Sequence, residues 1–123
     1  MISFDSFILA DGMPIYLQIV LYIKRGIIAG LISDGDELPS RRVLSALLGV
    51  NPNTVQKTYR ILEEEGLIQS RAGAKSYMIL DEDKIIRIRQ ELLEGDARAI
   101  VSAMKQMGLS REDAVALLEK YWD

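Results

Sequence analysis

The three residues Gly49-Val50-Asn51 separate two helix-forming stretches, and no other feature of the chain constrains its fold as much. Upstream, Pro39 disfavours helix at Leu38 and permits one directly after it. Ser40 is placed as an N-cap, and Val43, Leu44, Leu47 and Leu48 form the inward face. Gly49 ends this helix, and Val50 turns back toward the core. Downstream, Asn51 caps a second helix whose first position is Pro52, where a missing N–H is harmless. This helix is predicted to run to about Glu65, with Val55, Tyr59 and Leu62 facing inward and Thr58 and Ile61 beside them. Gly66 supplies its stop.

The flanking segments complete a recognisable order. Residues 1–13 read as an extended arm, and a helix is expected from Ile15 to Gly30. Tyr16, Ile19, Val20, Ile23 and Ile27 form its main stripe, and Leu17, Leu21 and Ile28 form a second. A helix apolar on two sides is buried on two sides, which fits a subunit contact or a central core helix. Residues 33–39 read as a loop. After Gly66, Leu67–Ser70 and Ser76–Leu80 read as short strands around the tip Arg71-Ala72-Gly73-Ala74-Lys75. The result is a helix-turn-helix with a wing, mainly α with a small β hairpin. We place this domain with its arm at 1–80 and an all-α tail at 81–123. In the tail, Leu93, Ala97, Ile100, Met104 and Met107 repeat at 4-3-4-3 spacing, the seam of a helix packed on another helix. Gly95 leaves open one bent helix or two shorter ones. Ser110 caps a last helix with Leu118 on its face.

Composition removes most enzyme designs. There is no histidine and no cysteine, so imidazole bases, Ser-His-Asp triads, thiolate nucleophiles and His or Cys metal ligands are absent. We expect neither catalysis nor a cofactor nor a metal. Asp34, Asp36 and Glu37 form an acidic loop without a catalytic partner. No apolar run reaches the ~18 residues of a membrane helix, and no secretory signal is visible. The cytoplasm is the expected compartment.

Net charge is −3, from 15 Lys and Arg against 18 Asp and Glu, but the distribution is uneven. From Leu38 to Leu62 the chain carries Arg41, Arg42, Lys57 and Arg60 and no carboxylate. A local basic patch is what phosphate contact requires. The second helix of such a pair presents its first turn to base edges in the major groove. Here that turn carries Asn51, Asn53, Thr54, Gln56 and Lys57. Asn and Gln donate and accept in one plane, matching the edge of adenine. Arg71 and Lys75 at the hairpin tip are placed to reach an adjacent groove. Asn51 as a pure cap, and Gln56 and Lys57 as ordinary surface, are the plainer alternatives.

These residues resemble a known family. Pro14-Ile15-Tyr16-x-Gln18-Ile19 followed by GDELPSRRVLSALLGVNPNTVQKTYRILEEEGLI is similar to the winged-helix domain of GntR-type bacterial transcription regulators. The string NPNTVQKTYRILEEEGLI and the short tail resemble the YtrA-like subfamily, over roughly residues 14–121. The resemblance implies DNA contacts from Arg42 and from Asn51, Asn53, Thr54, Gln56 and Lys57. The family's wing usually reads Arg-Gly-Arg-Gly-Thr-Phe-Val. Here Ala74 and Lys75 replace its second Arg and second Gly, which leaves Lys75 a looser phosphate contact.

Taken with the seam, the resemblance implies a homodimeric repressor on an inverted-repeat operator in double-stranded DNA. The tail is expected to dimerise through Leu93, Ile100, Met104 and Leu118, helped by Leu17 and Leu21. Segment 81–123 is too short to enclose a sizeable ligand pocket alone, and the reading allows an unidentified small-molecule effector. The alternative is a winged-helix protein-interaction module that never touches DNA. The carboxylate-free window and the polar first turn speak against it.

Overall fold

A computed structural model describes residues 1–71 and 75–123. Its elements are α1 (Ile15–Ile28), β1 (Glu37–Leu38), α2 (Arg41–Leu48), α3 (Pro52–Glu64), β2 (Ile68–Arg71), β3 (Lys75–Met78), α4 (Glu82–Gln106) and α5 (Arg111–Lys120). This is a winged helix-turn-helix followed by a helical tail. Residues Ala72, Gly73 and Ala74, expected to form the tip turn, lie outside the described residues. The chain divides into two compact units, Met1–Ile88 and Arg89–Asp123. The first unit thus extends past Leu80, where composition placed the division. Lys84 donates to the carbonyls of Gly66 (2.7 Å) and Ile79 (3.1 Å), and Ile88 is buried, so the root of α4 packs with the first unit.

In the first unit, Ile19, Val20, Ile23 and Ile27 of α1 are buried, as are Val55, Thr58, Tyr59 and Leu62 of α3. Leu38, Leu44, Leu67 and Met78 complete the core. Burying each large apolar side chain stabilises by about 1.5–3 kcal/mol over leaving it exposed. The caps form where the residue types require them. Ser40 Oγ accepts from Val43 N, and the Asn51 side chain accepts from Asn53 N at 2.8 Å. Gly49 ends α2 in the left-handed region at φ 66°, where a Cβ is disfavoured. The three strands are antiparallel in the order β1-β3-β2.

Four expectations need correction. The arm is packed rather than freely extended: Ile2 and Phe4 are buried, and Ile2 N donates to Glu37 O at 2.8 Å. Phe4, Phe7 and Tyr22 cluster with ring centroids 5.2 Å (Phe4–Tyr22) and 5.3 Å (Phe7–Tyr22) apart. The loop 33–39 contains β1, which pairs Glu37 with Tyr77 and Leu38 with Ser76. On α2, Val43 and Leu47 are 51% and 62% exposed rather than inward. The buried positions are Leu44 and Ser45, and Ser45 Oγ donates to Val50 O at 2.6 Å, closing the turn from within. Finally, α1 ends at Ile28, with Gly30 beyond its cap at φ 78°.

In the second unit, α4 passes through Gly95 without a break. Gly108 at φ 79° follows it, and Ser110 caps α5 by accepting from Asp113 N at 3.1 Å. No described residue from Arg89 to Asp123 is buried. Leu93, Ile100, Val115 and Leu118 are all exposed, and Met104 and Leu109 are partly so. Ile100, Met104, Leu109, Val115 and Leu118 line an open apolar groove of about 400 Å³. Among the described residues no helix is long and apolar enough to cross a membrane.

Candidate nucleic-acid interface

The amphipathic pattern of α3 fixes what it shows to solvent. Val55, Thr58, Tyr59 and Leu62 are buried, so Asn53, Gln56, Lys57 and Arg60, at helical spacing, face outward. Thr58 anchors the buried side. Its Oγ donates to Thr54 O at 3.0 Å, and at 3.4 Å it also approaches Tyr16 O of α1. Thr54 is half-buried, behind the front row. The carbonyl oxygen of Asn51's side chain is committed to the Asn53 N–H, so Asn51 serves as the cap. Asn53 and Gln56 are exposed and make no side-chain hydrogen bond among the described residues, which leaves their amides free for base edges.

The cations fall into two groups. Arg42 and Arg60 are exposed and have no ion pair among the described residues. The others are steered by neighbours. Lys57 Nζ sits 3.9 Å from the Tyr16 ring centroid, and the Arg71 guanidinium lies 4.6 Å from that of Tyr77. Lys75 Nζ is 3.7 Å from a Glu37 oxygen, across the β1–β3 pair. Arg41 is the most constrained. Its Nη2 donates to Glu63 Oε1 at 3.1 Å, and its guanidinium lies 5.0 Å from the Tyr59 ring. The Tyr59 hydroxyl donates to Pro39 O. Burial pushes that phenol well above the ordinary tyrosine value, and the Arg41 charge opposes the shift.

Of the ten residues expected to meet DNA, Asn51 serves as the α3 cap and the other nine separate. Asn53, Gln56, Lys57 and Arg60 share the outer face of α3, and Arg42 is exposed at the start of α2. Arg71 and Lys75, expected in the tip turn, instead form the last β2–β3 pair beside it, and the tip itself is outside the described residues. Thr54 is recessed, and Arg41 is paired internally. The supports that local patterns miss are Tyr16, Tyr77, Glu37 and Glu63. Each acts on a cation far away in sequence or on another strand. The acidic loop is structural: Asp34 Oδ1 accepts from Leu80 N and Asp36 Oδ2 from Ser33 N, both at 2.8 Å.

Comparison with known proteins agrees with this geometry. Residues 15–77 match the family described as bacterial regulatory proteins, gntR family. The chain is 36% identical over 110 residues to the HTH-type transcriptional repressor YtrA of Bacillus subtilis, covering 89% of this chain and 80% of that one. It is 38% identical over 110 residues to the uncharacterized HTH-type transcriptional regulator YhcF of the same organism, covering 84% and 85%. Among solved structures, a GntR family transcriptional regulator from Listeria monocytogenes superposes with a TM-score of 0.80 at 34% identity, covering 91% of this chain and 98% of that one. YtrA from Sulfolobus acidocaldarius, a GntR-family transcription factor, gives 0.55 at 28% identity, covering 91% and 90%.

Proposed function

This chain belongs to the gntR family of bacterial regulatory proteins, and from that premise we propose that it is a homodimeric, cytoplasmic repressor that reads an inverted-repeat operator with α3. It is a DNA-binding transcriptional regulator and not an enzyme. The observation that carries the proposal is the outward row Asn53, Gln56, Lys57 and Arg60. It sits on a helix whose other face is locked into the core. Two planar amides and two cations on one face are suited to base edges and phosphates respectively.

The repressor assignment is supported by likeness to a relative named as a repressor. The dimer is supported by the exposed apolar residues Leu93, Ile100 and Leu118 and the partly exposed Met104, which a short helical unit leaves open to water. Leu17 and Leu21 of α1 are half-buried and join them as contact residues. A two-fold dimer places two recognition helices about 34 Å apart or a multiple of it, so the operator is an inverted repeat of matching half-site spacing. Nuclease footprinting of the DNA upstream of its own gene tests this. Protection of an inverted repeat is the expected result. Absence of protection on any promoter fragment would favour a protein-interaction module instead.

A further inference from the structure

One carboxylate joins the three elements of the DNA-facing surface. Glu63, near the end of α3, accepts on the same oxygen from Arg41 Nη2 (3.1 Å) at the start of α2 and from Ser70 Oγ (2.7 Å) on β2 of the wing. Both members of the ion pair are partly shielded, with side chains 30% and 38% exposed. The Arg41 guanidinium also lies against the Tyr59 ring, and the Tyr59 hydroxyl holds the Pro39 carbonyl just ahead of α2. Arg42, the next residue, is exposed and has no such partner among the described residues. The two adjacent arginines are therefore electrostatically different.

We propose that Glu63 is a positioning residue that withholds Arg41 from the phosphate backbone and so sets how many cations the surface presents to DNA. Moving Arg41 onto a phosphate would strip it from both the carboxylate and the ring. It would also leave Glu63 uncompensated at a surface that receives a polyanion. Ser70 donates to the same Glu63 oxygen, which helps keep the carboxylate beside Arg41. Phosphate contact falls to Arg42, Lys57 and Arg60 on the two helices and to Arg71 and Lys75 on the wing, and the Arg41–Glu63 pair locks the start of α2 to the end of α3. This inference rests on the DNA-binding reading and deepens it.

The test reads the salt dependence of binding, which counts phosphate-neutralising cations with a slope of about 0.9 per contact. The probe is a duplex from upstream of the protein's own gene, titrated with wild type, Glu63→Gln and the double variant Arg41→Gln/Glu63→Gln. Glutamine keeps an acceptor for Ser70 and removes only the charge. Glu63→Gln is expected to steepen the slope by about one per subunit, as Arg41 becomes available. It should also bind several-fold tighter at low salt. The double variant is expected to return to the wild-type slope. An unchanged slope in Glu63→Gln, with thermal unfolding confirming the fold, would reduce Glu63 to a structural role and overturn the proposal. A double variant with a slope about one per subunit shallower than wild type would show that Arg41 already contacts phosphate, and would overturn it too. Should Glu63→Gln fail to fold, the double variant decides alone. A wild-type protein that does not bind the duplex at all would instead remove the DNA-binding reading itself.

Discussion

Lys57 of α3 holds its ammonium 3.9 Å from the centre of the Tyr16 ring at the start of α1. The two helices are also joined by Thr58 Oγ, 3.4 Å from the Tyr16 carbonyl oxygen. A flexible cation on the outer face of α3 is thus given a preferred direction by an aromatic face from another helix. Pre-orientation of this kind reduces the side-chain entropy lost when the lysine meets a phosphate.

Tyr16→Leu keeps apolar bulk and the backbone carbonyl but removes the ring. Ordering a flexible side chain on binding costs about 0.5–1.5 kcal/mol, and the ring offsets part of that for Lys57. Operator affinity is expected to fall roughly two- to fivefold, and the melting temperature by a few degrees as the contact is lost from the free fold. Fluorescence anisotropy beside thermal unfolding checks both.

Asn53→Ala and Gln56→Ala are expected to change sequence preference more than overall affinity. Their exposed amides have no partner among the described residues, and a bidentate base contact discriminates by about 1–3 kcal/mol. Selection from a randomised duplex pool should return a relaxed motif for each variant. The wild-type motif from both would take these residues out of base reading.

Tyr59 makes stability sensitive to alkali. Burial holds its folded phenol above the ordinary tyrosine value of 10.0, so the unfolded chain releases this proton first as pH rises. The associated stability is fully present below about pH 10 and is lost progressively above it. Chemical denaturation should show stability falling above about pH 10. In Tyr59→Phe the fall should be shallower, from a starting point lowered by the lost bond to Pro39 O.

Much of this was legible because it rests on local chemistry. Ser40, Gly49, Asn51, Gly66 and Ser110 punctuate the helices through caps and left-handed turns, which depend on residue type over a few positions. The outer row of α3 followed from its period. What was not legible depends on distant partners. A two-residue strand such as β1 has no period, and it exists only because β3 pairs with it. Residues 1–13 read as an extended arm, yet Ile2 and Phe4 are buried through contacts made after the chain returns. Val43 and Leu47 fit the inward stripe of α2, but eight residues turn too few apolar positions inward, and the small Ser45 takes the buried place. Arg41 looked like any other cation of the basic window because Glu63 lies beyond its edge.

Ile100 and Leu118 line one groove in the second unit and are 43% and 44% exposed. If that surface is the dimer contact, Ile100→Glu should bury a charge against the partner subunit. Light scattering is expected to show the mass falling by half. Operator affinity should drop with it, because two half-sites are no longer held together. A dimer of undiminished affinity would place the contact elsewhere.

On the proposed function, the surface built by α2, α3 and the last strand pair of the wing binds duplex DNA through its exposed cations. Titrating wild-type protein against the upstream duplex between 50 and 200 mM salt checks this. A dimer using several of Arg42, Lys57, Arg60, Arg71 and Lys75 per subunit should lose about 10³-fold or more in affinity across that range. Binding that does not change with salt, or no binding to the duplex, would rule out phosphate contact by these cations.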